Sequence, residues 1–485
     1  EFRRVLFRSN FMDAFADKLG RIGAWCGQNK YLGSIKNAFQ NFMPATIAGA
    51  IGVLWTNVLV NSSSGLGALW EPIMALEVIN PVFAAIQFAT ISCIAIGVVM
   101  LVGQEIAEAN GETGAFPAVL SFIAWLVVTP NSNSVAGLGL TDAAGAAVTK
   151  LVDGESVAVT IGEKLGDLTP AAFSGISANY TGATGLFTAL IVGILAMEIY
   201  GWLRKQDALK IKMPEQVPPG VSRAFEVLIP AFLMLAIVGL IGHVAYLATG
   251  KYVNDLISYY IQQPLTNIIG GNIFAVCLMY VLISLFWLVG IHGNNMMAAV
   301  KEPIFKPMLY ANTALFTNGE TMPLTAEIKA HGWYQLNLGM LVMFGEFGGS
   351  GVTIGLVIAI FIFGKRADNR AIATLSVVPG LFNINETVTF GIPLVLNPIL
   401  GIPFIIAPVA SIVLGYVLTL MGIMPIVVLE VPWTMPPLFY GFLATGGKPM
   451  GAVCQLLAVV LVTLIYIPFV IFYERYQNKQ AAEAE

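Results

Sequence analysis

Charged residues are scarce in this sequence. Asp, Glu, Lys and Arg make up 11% of 485 residues, about half the share of an ordinary water-soluble domain. With 57% hydrophobic residues and a mean hydropathy of +0.79, the chain is built for lipid as well as water. The net charge is −4 and no basic domain exists, which excludes nucleic acid as a partner. Cysteine is equally sparse. Cys26, Cys93, Cys277 and Cys454 have no paired spacing, so a zinc or redox motif is excluded. They read as small apolar fillers, and neither a metal nor a cofactor is expected. Short alternating segments, the mark of a transmembrane barrel, are missing too.

What is present is a series of apolar runs, many near the roughly 20 residues that a bilayer core demands. They lie near 42–60, 82–103, 115–129, 185–203, 225–247, 272–291, 333–346, 351–364, 398–422 and 451–473. Basic residues cluster at 10–40, 204–223, 365–370 and the tail, and ten spans put all four clusters on one side, as the positive-inside rule requires. The expected fold is therefore an all-α polytopic membrane protein with about ten transmembrane helices. Re-entrant pieces are expected near 300–330 and 371–397, where proline and glycine interrupt the apolar pattern. Residues 1–9 are Arg-rich, match nothing downstream and lack a signal peptide's apolar region; they read as an assembly scar. The remainder divides into a membrane half at 10–203, a basic cytoplasmic linker at 204–224, a second membrane half at 225–476 and a charged tail at 477–485. A polar insertion at 131–182 reads as an external loop.

The chemistry concentrates in two breaks. Residues 380–391, Gly380-Leu-Phe-Asn-Ile-Asn-Glu-Thr-Val-Thr-Phe-Gly391, set Glu386 between apolar residues with Asn383 and Asn385 beside it. A carboxylate at membrane depth persists only where it has partners or lines a cavity. The second break, Gly290-Ile-His-Gly-Asn-Asn295, places His292 between glycines, next to Asn294 and Asn295. Amides and an imidazole suit sugar hydroxyls, and a sugar ring also wants an aromatic face. Trp433 supplies that face or else sits in an interfacial belt. The other ionisable residues draw blander readings. His243 is structural and His331 interfacial. Glu105 and Glu108 end a span, and Glu198 precedes the basic linker. Lys301 and Glu302 either pair near the site or cap a turn. Glu430 is a weaker site candidate. Glu346 falls in a glycine-rich turn, 345–351, that lacks the lysine of a phosphate loop.

Four motifs carry a resemblance: Gly290-Ile-His-Gly293, Leu381-Phe-Asn-Ile-Asn-Glu386, Gly391-Ile-Pro-Leu-Val-Leu-Asn-Pro398 and Pro432-Trp-Thr-Met-Pro-Pro437. Together with the linker Lys212-Met-Pro-Glu-Gln-Val-Pro-Pro219 and Ser222-Arg-Ala-Phe-Glu226, they resemble the membrane IIC component of bacterial phosphotransferase-system sugar transporters. The similarity is to the lactose/cellobiose/diacetylchitobiose family, within the glucose superfamily, and spans roughly 12–476. It implies ten helices in two halves, two re-entrant hairpins, a homodimer formed mainly by the N-terminal half, and a sugar held by the C-terminal half. It further implies a multi-pass protein of the bacterial cell membrane with both termini cytoplasmic. The family's binding His and Glu fall on His292 and Glu386; Trp433 and the asparagines follow. The family usually has Pro after the Glu, where this chain has Thr387, which loosens the local turn.

The implied activity is sugar permeation coupled to phosphorylation. The 6-hydroxyl of a β-linked disaccharide (cellobiose, diacetylchitobiose or lactose type) attacks a phosphocysteine on a separate soluble IIB protein, charged in turn through IIA and HPr. This chain carries no phosphorylated residue itself, so its standing as an enzyme is that of a membrane subunit. The alternative is an ion-coupled secondary sugar transporter with Glu386 as its proton site. That alternative predicts uptake driven by a pH gradient without a partner protein. A receptor without transport is disfavoured by the paired broken segments.

Overall fold

The computed structural model describes residues 21, 25, 28–62, 66–134, 149–152, 155–158, 172–214, 216–320, 332–392, 394 and 397–484. Residues 1–9, Cys26 and His331 lie outside them. Six helices are long and apolar enough to cross a membrane: Lys30–Leu59, Glu71–Ser92, Ala183–Arg204, Pro219–Thr249, Pro398–Leu420 and Pro449–Glu483. Two further pairs qualify only together, across a sharp bend. They are Val253–Gly270 with Ile273–Leu288, bent by 79°, and Leu338–Val352 with Ile354–Phe363, bent by 59°. Counting each bent pair once gives up to eight such spans among the described residues.

Local chemistry sets the helix ends. Pro219 starts the helix Pro219–Thr249, where its missing N–H costs nothing, and Gly250 ends it in the left-handed conformation at φ 71°. Asn397 caps Pro398–Leu420, its side chain accepting from the N–H groups of Ile399 and Leu400, both at 3.0 Å.

The structure departs from the sequence windows in three places. The window near 82–103 is not one helix. A π-helical turn, Phe88–Ser92, ends at Cys93, whose φ of −112° leaves helical space, and a separate helix Ile94–Ala109 begins. The windows 333–346 and 351–364 form one bent unit. The glycine-rich turn between them holds Gly348, Gly349 and Gly351 at φ of 70°, 87° and 77°. The re-entrant piece expected near 300–330 is a continuous helix, Gly293–Thr317, over its described part, despite Pro303 and Pro307. Both prolines are buried, in protein surroundings that tolerate the lost backbone bonds. In the polar insertion two short antiparallel ladders occur, Ser132–Ser134 with Ala172–Ser174 and Thr149–Val152 with Glu155–Ala158. The remaining regular elements of the described chain are helices.

The hairpin expected at 371–397 is present. Its first arm is Ala367–Leu381, and after a tight turn comes the short helix Glu386–Gly391. Its base is fixed by Glu474 on the C-terminal helix, a 5% exposed carboxylate that accepts from the N–H groups of Lys365 (2.6 Å) and Arg366 and from Asn369 Nδ2 (3.1 Å). An acid among the first N–H groups of a helix meets both their unpaired donors and the dipole.

Apolar packing forms three clusters. One runs from Val276 to Tyr473 and holds the second half together. Another joins Ala95–Val128, Ala189–Leu203 and Val238, so the first helix after the linker packs against the first half. The third brings Ala38, Phe39 and Val53 of the first helix against Tyr310, Trp333 and Leu429. That last contact closes the wall of the cavity described next.

Candidate functional site

The site begins where the helix Ile273–Leu288 stops. Gly290 takes φ 86°, and a Cβ on Gly293 would lie 2.0 Å from the Ile283 carbonyl oxygen. Only glycine lets the chain turn back this tightly. His292 is left as the N-cap of Gly293–Thr317: its Nδ1 accepts from the Asn295 N–H at 3.3 Å. That bond leaves Nε2 as the nitrogen that can meet a ligand. The ring also lies against Trp287, with centroids 4.6 Å apart.

The hairpin tip supplies the opposite group. Asn383 adopts φ 63°, a left-handed conformation that asparagine tolerates better than most residues. Its Oδ1 accepts from the Gly348 N–H at 2.6 Å, and its Nδ2 donates to the carbonyls of Trp433 and Met435, the latter at 3.1 Å. Asn385 is also buried and donates to the Ser350 carbonyl at 2.7 Å. Asn294, from the helix behind His292, donates to Ser350 Oγ at 3.0 Å, while its Oδ1 is buried without a partner. Glu386 opens the short helix, exposed to the cavity rather than to packed protein.

These groups converge. A cavity of about 600 Å³ is lined by His292, Asn294, Asn295, Asn383, Asn385, Glu386 and Trp433, every residue expected from sequence. Glu386, Glu346 and Lys301 are within electrostatic reach of the His292 ring. Trp433 is 46% exposed, so its indole presents a face to the space. His243 lies on an exposed helix face and lines no part of the cavity.

Sequence reasoning weighed Lys301, Glu302 and Glu430 as lesser candidates but missed how the charged wall is paired: Lys301 and Glu302 do not pair with each other. Lys301 pairs with Glu346, which also accepts from the Tyr280 hydroxyl at 2.7 Å. Lys306 lies between Glu302 (3.4 Å) and Glu430 (3.3 Å), and the Tyr310 hydroxyl donates to Glu430. Lys301, Glu302, Lys306, Glu346 and Glu430 all line the cavity. Lys306 went unremarked in the sequence, although Glu302 and Lys306 sit one helical turn apart in an apolar setting, a pattern that is functional by default at membrane depth. The first helix contributes as well, through Phe39, Gln40, Met43 and Ile47. Lys306 Nζ sits 5.1 Å from the Phe39 ring centre, so the wall joins both halves.

A neutral, hydroxyl-rich ligand suits this arrangement: amides and an imidazole for hydroxyls, an indole for a ring face, and charges already matched to one another. Comparison with known proteins agrees. Residues 36–408 match the model of the family described as "Phosphotransferase system, EIIC". A cellobiose-specific EIIC component of Lactococcus lactis is 34% identical over 495 aligned positions, covering 95% of this chain and 98% of that protein. The lichenan permease IIC component of Bacillus subtilis is 28% identical, covering 96% and 93%. Among solved structures, the transporter ChbC, the IIC component of an N,N'-diacetylchitobiose-specific phosphotransferase system, superposes with a TM-score of 0.78 at 28% identity, covering 95% of this chain and 98% of that one. With the family model spanning most of its length, the chain belongs to the EIIC family of phosphotransferase-system membrane permeases.

Proposed function

We propose that this permease binds a β-linked disaccharide in the 600 Å³ cavity and presents its 6-hydroxyl to phospho-IIB. The observation that carries the reading is the convergence of His292 and Glu386, from separate chain breaks, on one cavity in an EIIC chain. Cellobiose, lichenan and diacetylchitobiose, named for the relatives and the structural neighbour, set the substrate class. Glu386 holds the 6-hydroxyl and takes its proton as the oxygen attacks phosphorus. The P–S bond to the IIB cysteine breaks as the P–O bond forms, and the thiolate leaves. Such transfer depends mainly on positioning and charge. His292 orients the same hydroxyl, Asn294, Asn295 and Asn385 hold the others, and Trp433 carries a ring face.

The same reading makes the protein a homodimer with both termini cytoplasmic. The stretch Glu71–Ser92 supports the dimer: none of its apolar window is buried within the chain, leaving it free to meet a second copy. The basic clusters at 10–40, 204–223, 365–370 and the tail support a cytoplasmic placement of those segments.

The test is phosphorylation of cellobiose, diacetylchitobiose and lactose by purified protein with phospho-IIB, alongside calorimetric binding of each sugar. His292→Ala is expected to lower turnover by about 10²-fold, the scale for deleting one positioned polar group at a reacting centre. Turnover in that variant equal to the parent protein would remove His292 from the site.

A further inference from the structure

We infer that Asn383, although it lines the cavity, is not a sugar ligand but a positioning residue that fixes Glu386 relative to Trp433; this rests on the function proposed above. The argument is one of capacity. An asparagine amide has two N–H donors and one acceptor oxygen with two lone pairs. Both donors are spent on the carbonyls of Trp433 and Met435, and the oxygen receives the Gly348 N–H at 2.6 Å. The partners also settle which way the amide faces, because Gly348 N–H can only donate and the two carbonyls can only accept. No donor remains for a hydroxyl, and with the residue only 8% exposed the second lone pair of the oxygen has little access to one. Asn294, by contrast, still has an unpartnered buried oxygen.

The three bonds tie together three separate segments. The hairpin tip carries Asn385 and Glu386; the glycine turn carries Glu346, Gly349 and Ser350; the third loop carries Trp433. Neither partner segment lies in a regular helix or strand where Asn383 meets it. Gly348 and Gly349 have φ of 70° and 87°, and the stretch Val431–Pro437 has no helix or strand. Asn383 is 8% exposed and itself left-handed, so its side chain projects from the sharpest point of the hairpin into both neighbours. This amide thus hydrogen-bonds the hairpin that carries the acid directly to the loop that carries the indole.

Two variants test the clamp. Asn383→Gly keeps the left-handed backbone and deletes all three bonds. Asn383→Asp keeps the acceptor for Gly348 and turns both donor positions into repulsion against carbonyls. Each is assayed for kcat and KM with phospho-IIB, for sugar affinity by calorimetry and for thermal midpoint, using cellobiose and a set of its mono-deoxy analogues. The expected result is a fall in kcat of about 10²-fold, the scale of a displacement near 1 Å at a reacting centre, with the same proportional loss for every analogue. A ligand role would give a loss that vanishes for the one analogue lacking the contacted hydroxyl, and that outcome overturns the inference. So does a lowered thermal midpoint with kcat unchanged in both variants. If the parent protein itself shows no phospho-IIB-dependent turnover, the proposed function fails first. The clamp is then judged on affinities alone, by the same comparison across analogues.

Discussion

Glu386→Gln should slow sugar phosphorylation by about 10²-fold while leaving sugar binding almost intact. Glutamine has the shape of glutamate and can still accept and donate hydrogen bonds to the 6-hydroxyl, but it cannot take the proton. A positioned base contributes about 10²- to 10⁴-fold. Because phosphoryl transfer leans on positioning more than on covalent help, the lower end applies, and a loss of about 10²-fold is expected. The substitution carries little folding risk. Glu386 starts a six-residue helix, is exposed to the cavity and takes part in none of the ion pairs that brace the wall. Turnover measured with phospho-IIB, beside calorimetric affinity, separates the two effects. Parent-level turnover would end the case for Glu386 as the base. Lost affinity with unchanged turnover at saturation would make it a ligand only.

Lys306→Met should act on stability instead. Lys306 is 4% exposed and faces two carboxylates, Glu302 and Glu430, at 3.4 and 3.3 Å. Methionine fills much of the same volume, so packing is largely kept, but both acids lose their counter-charge. Removing one partner of a buried ion pair costs about 3–5 kcal/mol, a large part of the roughly 5–15 kcal/mol that holds a typical protein folded. The cation–π contact with Phe39 adds about 0.5–2 kcal/mol. A strongly lowered thermal midpoint in detergent is expected, and the double variant Lys306→Met with Glu430→Gln should regain part of the loss, since it removes one stranded charge. An unchanged midpoint in the single variant would mean that water already shields this cluster.

The sequence revealed the reacting groups more readily than their supports, for a physical reason. His292 and Glu386 stood out because an ionisable group within an apolar chain carries a cost that only a cavity or a partner offsets. Glycines around each marked where the backbone breaks. Glu346 read as a turn residue, Glu430 as a weaker site candidate, and Lys306 drew no reading, because the pairing across the wall joins distant parts of the chain: Lys301 meets Glu346 across 45 residues and Tyr310 meets Glu430 across 120. Asn383 was legible as an amide in the right place. That its amide is committed to backbone 35 and 50 residues away was not. The break at Cys93 had no local mark, since neither glycine nor proline stands in the π-helical turn Phe88–Ser92 before it.

The matched charges around the cavity have a bearing on the direction of transport. Its two ammonium groups, Lys301 and Lys306, already answer carboxylates, and Glu386 adds another acid. A neutral disaccharide disturbs none of this. Once esterified it gains about two negative charges, with no unengaged lysine or arginine among the described residues that line the cavity to receive them, so calorimetry should find the 6-phosphate bound far more weakly than the parent sugar. Equal affinity would show that the lysines are free to turn. A product held more weakly than its precursor leaves the cavity more readily than it re-enters, so on this expectation the matched charges favour release once transfer is complete.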